Sequence, residues 1–187
     1  MEIEKRVVGV YQENCYLIKK GNNGLIIDQG DDIDSILEMI GDTKIEAILI
    51  THAHFDHIGA LEELESKLHV PIYYHNINGE LNYKELVDIK EDIYKTNSFT
   101  FKVIYTPGHR NDSVCFYFYE YDIMFTGDFL FYLSIGRTDM EYADKYEMIK
   151  SINLIKTYPD KTMIYPGHGT DTTLEFEKKY NNYLKIR

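Results

Sequence analysis

The sequence predicts an α/β fold in one domain covering residues 1–187, a length sufficient for a substantial core. Short apolar runs of strand length, each bounded by turn formers, recur from end to end. Runs with apolar residues at helical spacing lie between them. Residues with metal-ligating side chains follow the strand runs, and three times a glycine stands directly before one: Gly108-His109, Gly127-Asp128 and Gly167-His168. Glycine permits backbone approaches closed to other residues, and open sheets place their sites at strand ends.

Residues 1–28 read as strands broken by turns. The apolar runs 15–18 and 25–28 flank Lys19-Lys20-Gly21-Asn22-Asn23-Gly24, which predicts a hairpin. The second run ends on Asp28, where an aspartate serves as a turn residue or as an acceptor that orients a metal-bound histidine. Ile33, Ile36, Leu37 and Ile40 share one face of a short helix that Gly41 stops. A buried strand over 47–50 then runs into Thr51-His52-Ala53-His54-Phe55-Asp56-His57. The helix that follows carries Ile58, Leu61, Leu64 and Leu68 on one face. Residues 70–74 form another strand, and His75 after it stands alone, a loop residue with no metal role. Residues 76–98 carry the weakest pattern, with one helical turn at most. That marks a surface loop or a flap over an active site, the flap being favoured.

The strand at 99–105 leads into Thr106-Pro107-Gly108-His109, where proline and glycine force a turn. Runs 114–119 and 123–126 form a hairpin around Glu120, Tyr121 and Asp122. A helix carries Met148, Ile149, Ile152 and Ile155 and ends by Pro159. A last strand at 162–165 runs into Pro166-Gly167-His168-Gly169, and a helix with Phe176, Tyr180, Tyr183 and Leu184 closes the chain. Aromatic residues make up 14% of the chain and are expected mainly in sheet cores and on strand surfaces.

A net charge of −11 argues against a nucleic-acid partner, which would need clustered Lys and Arg. The amino terminus has no apolar signal segment, and no run approaches the ~20 residues of a membrane span, so a cytoplasmic protein is expected. Cys15 and Cys115 each lie in an apolar run, which predicts buried free thiols.

Four potential ligands, His52, His54, Asp56 and His57, crowd together behind the strand at 47–50. On an extended segment His52 and His54 point the same way. Imidazole with carboxylate suits zinc, iron or manganese rather than calcium. Together with His109, Asp128 and His168 the set exceeds what one tetrahedral ion uses. The economical solution is two metals sharing a carboxylate and a water, a pair that yields hydroxide at neutral pH and steadies a developing oxyanion. No serine or cysteine nucleophile is then required, and none stands in a nucleophile-elbow setting.

On these motifs the chain resembles the metallo-β-lactamase superfamily, and within it the short glyoxalase II-like (hydroxyacylglutathione hydrolase-like) enzymes. The resemblance runs nearly end to end, through Asn14-Cys15-Tyr16-Leu17, Ile27-Asp28, the metal motif at 51–59, Thr106-Pro107-Gly108-His109, Ser113-Val114 and Thr126-Gly127-Asp128. Ser134-Ile135-Gly136-Arg137-Thr138-Asp139 and Tyr165-Pro166-Gly167-His168-Gly169 narrow it to the glyoxalase II-like branch. It implies a four-layer αββα sandwich with the site at one edge, between two sheets. It also implies His52, His54 and His109 on one metal, Asp56, His57 and His168 on a second, Asp128 bridging both, and Asp28 behind them. Asp56 would additionally steer the hydroxide proton, as the catalytic residue. The implied cofactors are two divalent ions, zinc first, with iron or manganese as alternatives.

Asp128 stands where B1-type β-lactamases carry a cysteine ligand, and His54 where flavodiiron proteins tend to carry glutamate. Phe129 and Gln29 replace the threonine and proline common in relatives. The chain ends soon after His168, without the helical carboxyl-terminal domain of full-length glyoxalase II, which puts glutathione in doubt as the thiol. Arg137 stands where glutathione hydrolases often carry a basic side chain, to bind a substrate carboxylate or to pair with Asp139. The expected activity is hydrolysis of a small-molecule thioester by metal-bridging hydroxide. The alternatives are a persulfide dioxygenase with one iron, or a lactone or other ester hydrolase on the same fold. A non-catalytic module would have lost a ligand, and none is lost.

Overall fold

A computed structural model describes residues 1–185. The elements in chain order are β1 (Glu2–Val8), β2 (Glu13–Lys20), β3 (Asn23–Ile27), α1 (Ile33–Ile40), β4 (Lys44–Leu49), α2 (Phe55–Ile58), α3 (Leu61–Leu68) and β5 (Ile72–Tyr74). There follow β6 (Leu86–Asp88), β7 (Ile93–Lys95), β8 (Thr100–Tyr105), β9 (Val114–Phe118), β10 (Ile123–Gly127), β11 (Leu130–Phe131) and β12 (Ser134–Ile135). Then come α4 (Lys145–Ile155), β13 (Met163–Pro166), β14 (Thr172–Thr173), α5 (Leu174–Tyr180) and a 3₁₀ turn (Asn182–Lys185). Two six-stranded sheets result, ordered β1-β2-β3-β4-β5-β6 and β14-β13-β10-β9-β8-β7.

The period of two along each strand builds the layers. In β2, Cys15 and Leu17 join Ile36, Met39, Leu61 and Leu64 of α1 and α3 in one core. Tyr16 and Ile18 point the other way, into a second core shared with Phe101, Phe116 and Phe125 of the opposite sheet. In β9 the pattern repeats: Val114, Phe116 and Phe118 face that inter-sheet core, while Cys115 and Tyr117 meet Met148, Ile152 and Leu174 of α4 and α5. Helices, sheet, sheet, helices: this is the αββα sandwich. Each fully buried Ile, Leu or Phe contributes ~1.5–3 kcal/mol to it. Both cysteines are buried free thiols. Among the described residues no helix is long and apolar enough to cross a membrane.

α1 begins where Asp32 accepts the Ser35 N–H, and it stops at Gly41, whose positive φ of 51° lets its N–H return to the Leu37 carbonyl. Three expectations need correction. The helix through Ile58 and Leu68 is two helices, because the Ala60 N–H donates to the Gly30 carbonyl (2.7 Å) and leaves the helical ladder. Residues 76–98 are not a flap and hold no helical turn among the assigned elements. β6 pairs parallel to β5 and β7 antiparallel to β8, so the segment carries the chain from an edge of one sheet to an edge of the other. Finally, α4 ends at Ile155, ahead of Pro159, and Tyr183 and Leu184 lie on the 3₁₀ turn beyond α5.

Candidate metal centre

Four strands, β4 from one sheet and β8, β10 and β13 from the other, release their chains toward one point at their carboxyl ends. β4 leads to His52 and His54, and α2 then carries Asp56 and His57. His109 follows β8, Asp128 follows β10 and His168 follows β13. The glycine before each of the last three has no room for a side chain. A Cβ on Gly108 would strike the Met148 backbone, one on Gly127 the Thr51 side chain, and one on Gly167 would lie 2.5 Å from Asp128 Oδ1.

The first group of donors is His52, His54, His109 and Asp128, whose ligand atoms lie within 4.8 Å of one another. His52 Nε2 and His109 Nε2 stand 3.0 and 2.9 Å from His54 Nδ1. The outer nitrogens set the tautomers. His52 Nδ1 donates to Thr51 Oγ1 (3.1 Å), which itself donates to Asp28 Oδ2 (2.7 Å), and His109 Nδ1 donates to the Arg137 carbonyl (3.0 Å). Both Nε2 lone pairs therefore face inward. Burial holds His52 well below the ordinary imidazole range, takes His54 down to about 4 and lowers His109, so all three are neutral at pH 7. Two Nε2 lone pairs converge on His54 Nδ1, which can donate to only one of them at a time, and a cation can satisfy all three nitrogens.

The second group is Asp56, His57 and His168, again within 4.8 Å. His168 Nε2 lies 3.3 Å from Asp56 Oδ2 and 3.6 Å from Asp128 Oδ1. His57 Nε2 lies 3.3 Å from Asp128 Oδ1, and both atoms are buried without a hydrogen-bond partner. Here too the outer nitrogens point away, His57 Nδ1 donating to Asp28 Oδ2 (3.0 Å) and His168 Nδ1 to the Gln12 carbonyl (3.3 Å). Burial pulls His57 and His168 down, but the carboxylates outweigh it. Asp128 and Asp28 hold His57 well above the ordinary value, and Asp56 with Asp128 raises His168. Burial would raise Asp128, yet the imidazoles, His57 foremost, hold it at about 2. Asp56 is lowered against its own burial by His168 and His57. The orphaned His57 and Asp128 atoms and the inward lone pairs make this donor set suited to divalent metal.

All seven residues expected as ligands thus come together, and Asp128 lies between the two groups. Asp28 does more than cap a turn: it accepts from His57, the Thr51 hydroxyl and the Thr51 N–H (2.8 Å) while 2% exposed. Arg137 gives its carbonyl to His109 and its guanidinium to Asp139, with Nε to Oδ1 at 3.0 Å. His75 stays apart and donates to the Ile89 carbonyl.

Two features escape a sequence reading. Glu13 is buried with both oxygens unpartnered, 3.9 Å from His57 Nδ1, and desolvation pushes its carboxyl well up. β2 is buried on both faces there, so no alternation singles it out. Asp112, also buried, accepts the Ala53 N–H (3.0 Å) between His52 and His54, the Tyr74 hydroxyl (2.6 Å) and Arg110 Nε (2.9 Å). Arg110 also pairs with Glu80. The only signal for this network is the Arg110-Asn111-Asp112 run behind His109.

The centre opens on a cleft of about 400 Å³, lined by His54, Asp56, His109, Asp128 and His168 at its floor and by Tyr11, Phe55, Phe131, Ile135, Arg137 and Met140 around them.

Residues 8–168 match the family model described as the metallo-beta-lactamase superfamily. The chain is 32% identical to the probable metallo-hydrolase YqgX of Bacillus subtilis, over 98% of each chain. It is also 32% identical to the hydroxyacylglutathione hydrolase GloC of Haemophilus influenzae, over the full length of both. Among solved structures, the BLEG-1 B3 metallo-beta-lactamase superposes with a TM-score of 0.90 at 30% identity, covering 99% of this chain and 100% of that one. TTHA1623 in a di-iron-bound form gives 0.86 at 32% identity, covering 96% and 99%. With a family model matched from β1 to His168, and relatives this similar over their whole length, the chain belongs to the metallo-β-lactamase superfamily.

Proposed function

We propose that this metal-dependent hydrolase is binuclear and cleaves small thioesters. The observation that carries the reading is the pair of donor groups meeting at Asp128, with the outer nitrogens of His52, His57, His109 and His168 tied back so that their other nitrogens face one space. Similarity to a hydroxyacylglutathione hydrolase over the whole chain supports the thioester. In this reading His52, His54 and His109 hold one ion, Asp56, His57 and His168 the other, and Asp128 serves both. Two such ions supply Lewis acidity that turns water into hydroxide near neutral pH and stabilises negative charge on an acyl oxygen. Zinc fits the donors, as do iron and manganese, and a di-iron form of a similar protein keeps iron among the candidates.

The chain's own residues do the rest. Asp28 keeps the His57 proton on Nδ1, and the Arg137 carbonyl does the same for His109. Asp56 Oδ2, on the cleft floor, is placed to accept the proton released as water is used. A thiolate leaves without a strong acid to protonate it, so the reading calls for no general acid over the cleft. The substrate is a small molecule, with neither nucleic acid nor membrane as partner, and two buried free thiols accord with a cytoplasmic setting.

The test is metal content and turnover of a panel of lactoyl thioesters on one preparation. About two metals per chain with hydrolysis are expected, and Asp128→Ala should lose both. Full activity in Asp128→Ala, or one iron per chain with oxygen uptake on a persulfide, would sink the proposal.

A further inference from the structure

His168 owes less of its placement to packing than His57 or His109. Its side chain is 27% exposed, against 0% and 5% for theirs, and a glycine stands on either side of it. A backbone that free needs outside anchors to hold one side chain in one place. The anchors come from β2, in the opposite sheet. The β2–β3 ladder ends at the Tyr16–Ile27 pair, and beyond it the Asn14 N–H leaves the sheet to donate to the Gly167 carbonyl (2.7 Å). Asn14 Nδ2 donates to the carbonyls of Pro166 (2.9 Å) and Gly169 (3.0 Å), so one amide holds both shoulders of the His168 loop. Tyr16, also buried, donates its hydroxyl to the same Pro166 carbonyl (2.7 Å). The turn ahead of β2 completes the contact, offering the Gln12 carbonyl to His168 Nδ1.

Resting on the binuclear reading, we propose that Asn14 and Tyr16 are positioning residues for the second ion. They fix the loop at 166–169 so that His168 Nε2 stays beside Asp56 and Asp128, 3.3 and 3.6 Å from their oxygens. Both act through the loop backbone rather than on a ligand's ring. An ion binds only the conformations in which its donor nitrogen is already in place. Each further conformation the loop gains dilutes the competent one and raises the apparent dissociation constant in proportion. The ion held by His52, His54 and His109 takes no ligand from this loop, so the effect falls on one ion of the two.

The experiment loads wild type, Tyr16→Phe and Asn14→Ala with zinc and back-titrates each with a calibrated chelator. Tyr16→Phe removes one hydroxyl and keeps the ring packed on Phe125 and Tyr165, at centroid distances of 5.1 and 5.7 Å. It should weaken the ion held by Asp56, His57 and His168 by about 3–10-fold and leave the other within about twofold. Asn14→Ala removes both amide bonds and should weaken the same ion further; should it fail to fold, Tyr16→Phe decides. Tyr117→Phe takes a hydroxyl from Asp122, ahead of β10 at the end away from the centre, and should change neither ion. The same selective loss there would count against the proposal. Imidazole nitrogen NMR of the zinc-loaded proteins reads His168 itself, whose signal should broaden or double in Tyr16→Phe while that of His109 holds. Equal losses at both ions, no loss at either, or an unchanged His168 signal overturns the proposal. One zinc per wild-type chain, with the His168 signal still disturbed by Tyr16→Phe, removes the binuclear reading and keeps the positioning role.

Discussion

Asp28→Asn isolates the contribution of one buried carboxylate to the centre. Asp28 sits at a φ of 43°, a conformation asparagine shares readily, so the exchange leaves the backbone undisturbed. The carboxylate accepts three bonds: Oδ1 from the Thr51 N–H, and Oδ2 from the Thr51 hydroxyl and His57 Nδ1. An amide offers one accepting oxygen. If that oxygen faces His57, the amide nitrogen opposes the Thr51 N–H, leaving a buried donor unmet at a cost of ~1–3 kcal/mol. If the amide turns round, its NH₂ faces His57 Nδ1, the imidazole proton moves to Nε2, and the lone pair aimed at the Asp128 side is lost. Either way His57 loses a charge-assisted bond, of the kind whose removal weakens metal binding ~10–100-fold, or ~1.4–2.8 kcal/mol. Competitive titration with a calibrated chelator should show that loss on the ion held by Asp56, His57 and His168, with a much smaller change on the other. Two unchanged dissociation constants in a folded variant would refute the argument, as would equal losses at both sites.

The pKa directions predict staged loading. His57 and His168 are raised, so a proton occupies their inward nitrogens until pH climbs through values above the ordinary ~6.5, whereas His54, at about 4, is free far lower. Metal analysis after equilibration should give one ion per chain near pH 5 and two near pH 8; the same stoichiometry at both would count against it. Gly167→Ala would place a Cβ 2.5 Å from Asp128 Oδ1 and 2.6 Å from His57 Cε1, wedging two donors apart, and kcat should fall ~100-fold with the fold intact by circular dichroism. Asp112→Ala strands buried Arg110 with Glu80 and leaves the Ala53 N–H and Tyr74 hydroxyl without this acceptor. A loss of ~3–5 kcal/mol, read as a Tm lower by roughly 6–20 °C, is expected; a shift under ~2 °C would show that the network contributes little.

Much of this architecture could be read from local pattern. The alternation Cys15, Tyr16, Leu17, Ile18 sends side chains to two different cores, and the hairpins around Gly21 and Asp122 form as their turn residues predict. The clustering of the candidate ligands is legible because chemistry is repeated at strand ends: one dense motif and three glycine-led residues. What stayed hidden depends on distant partners. The break at Ala60 comes from a carbonyl on Gly30, and β6 and β7 are three residues each, too short to show a period. Asp112 acquires its role only when folding brings Ala53 and Tyr74 to it. Arg137 presented two options, and its pairing with Asp139 emerged only from side-chain geometry.

The origin of the donors in two sheets has a mechanical consequence. His52, His54, Asp56 and His57 extend from the sheet containing β4, while His109, Asp128 and His168 extend from the sheet containing β10. Any ion held by both sets is a cross-link between the halves of the sandwich, closing a long loop of chain as a disulfide would, but removable by a chelator. Stripping it frees the seam between the sheets at that end, while Phe101, Phe116 and Phe125 continue to hold the interior. The metal would then act as a clasp on the fold as well as a reagent, and its loss would surface first as faster unfolding and quicker proteolysis.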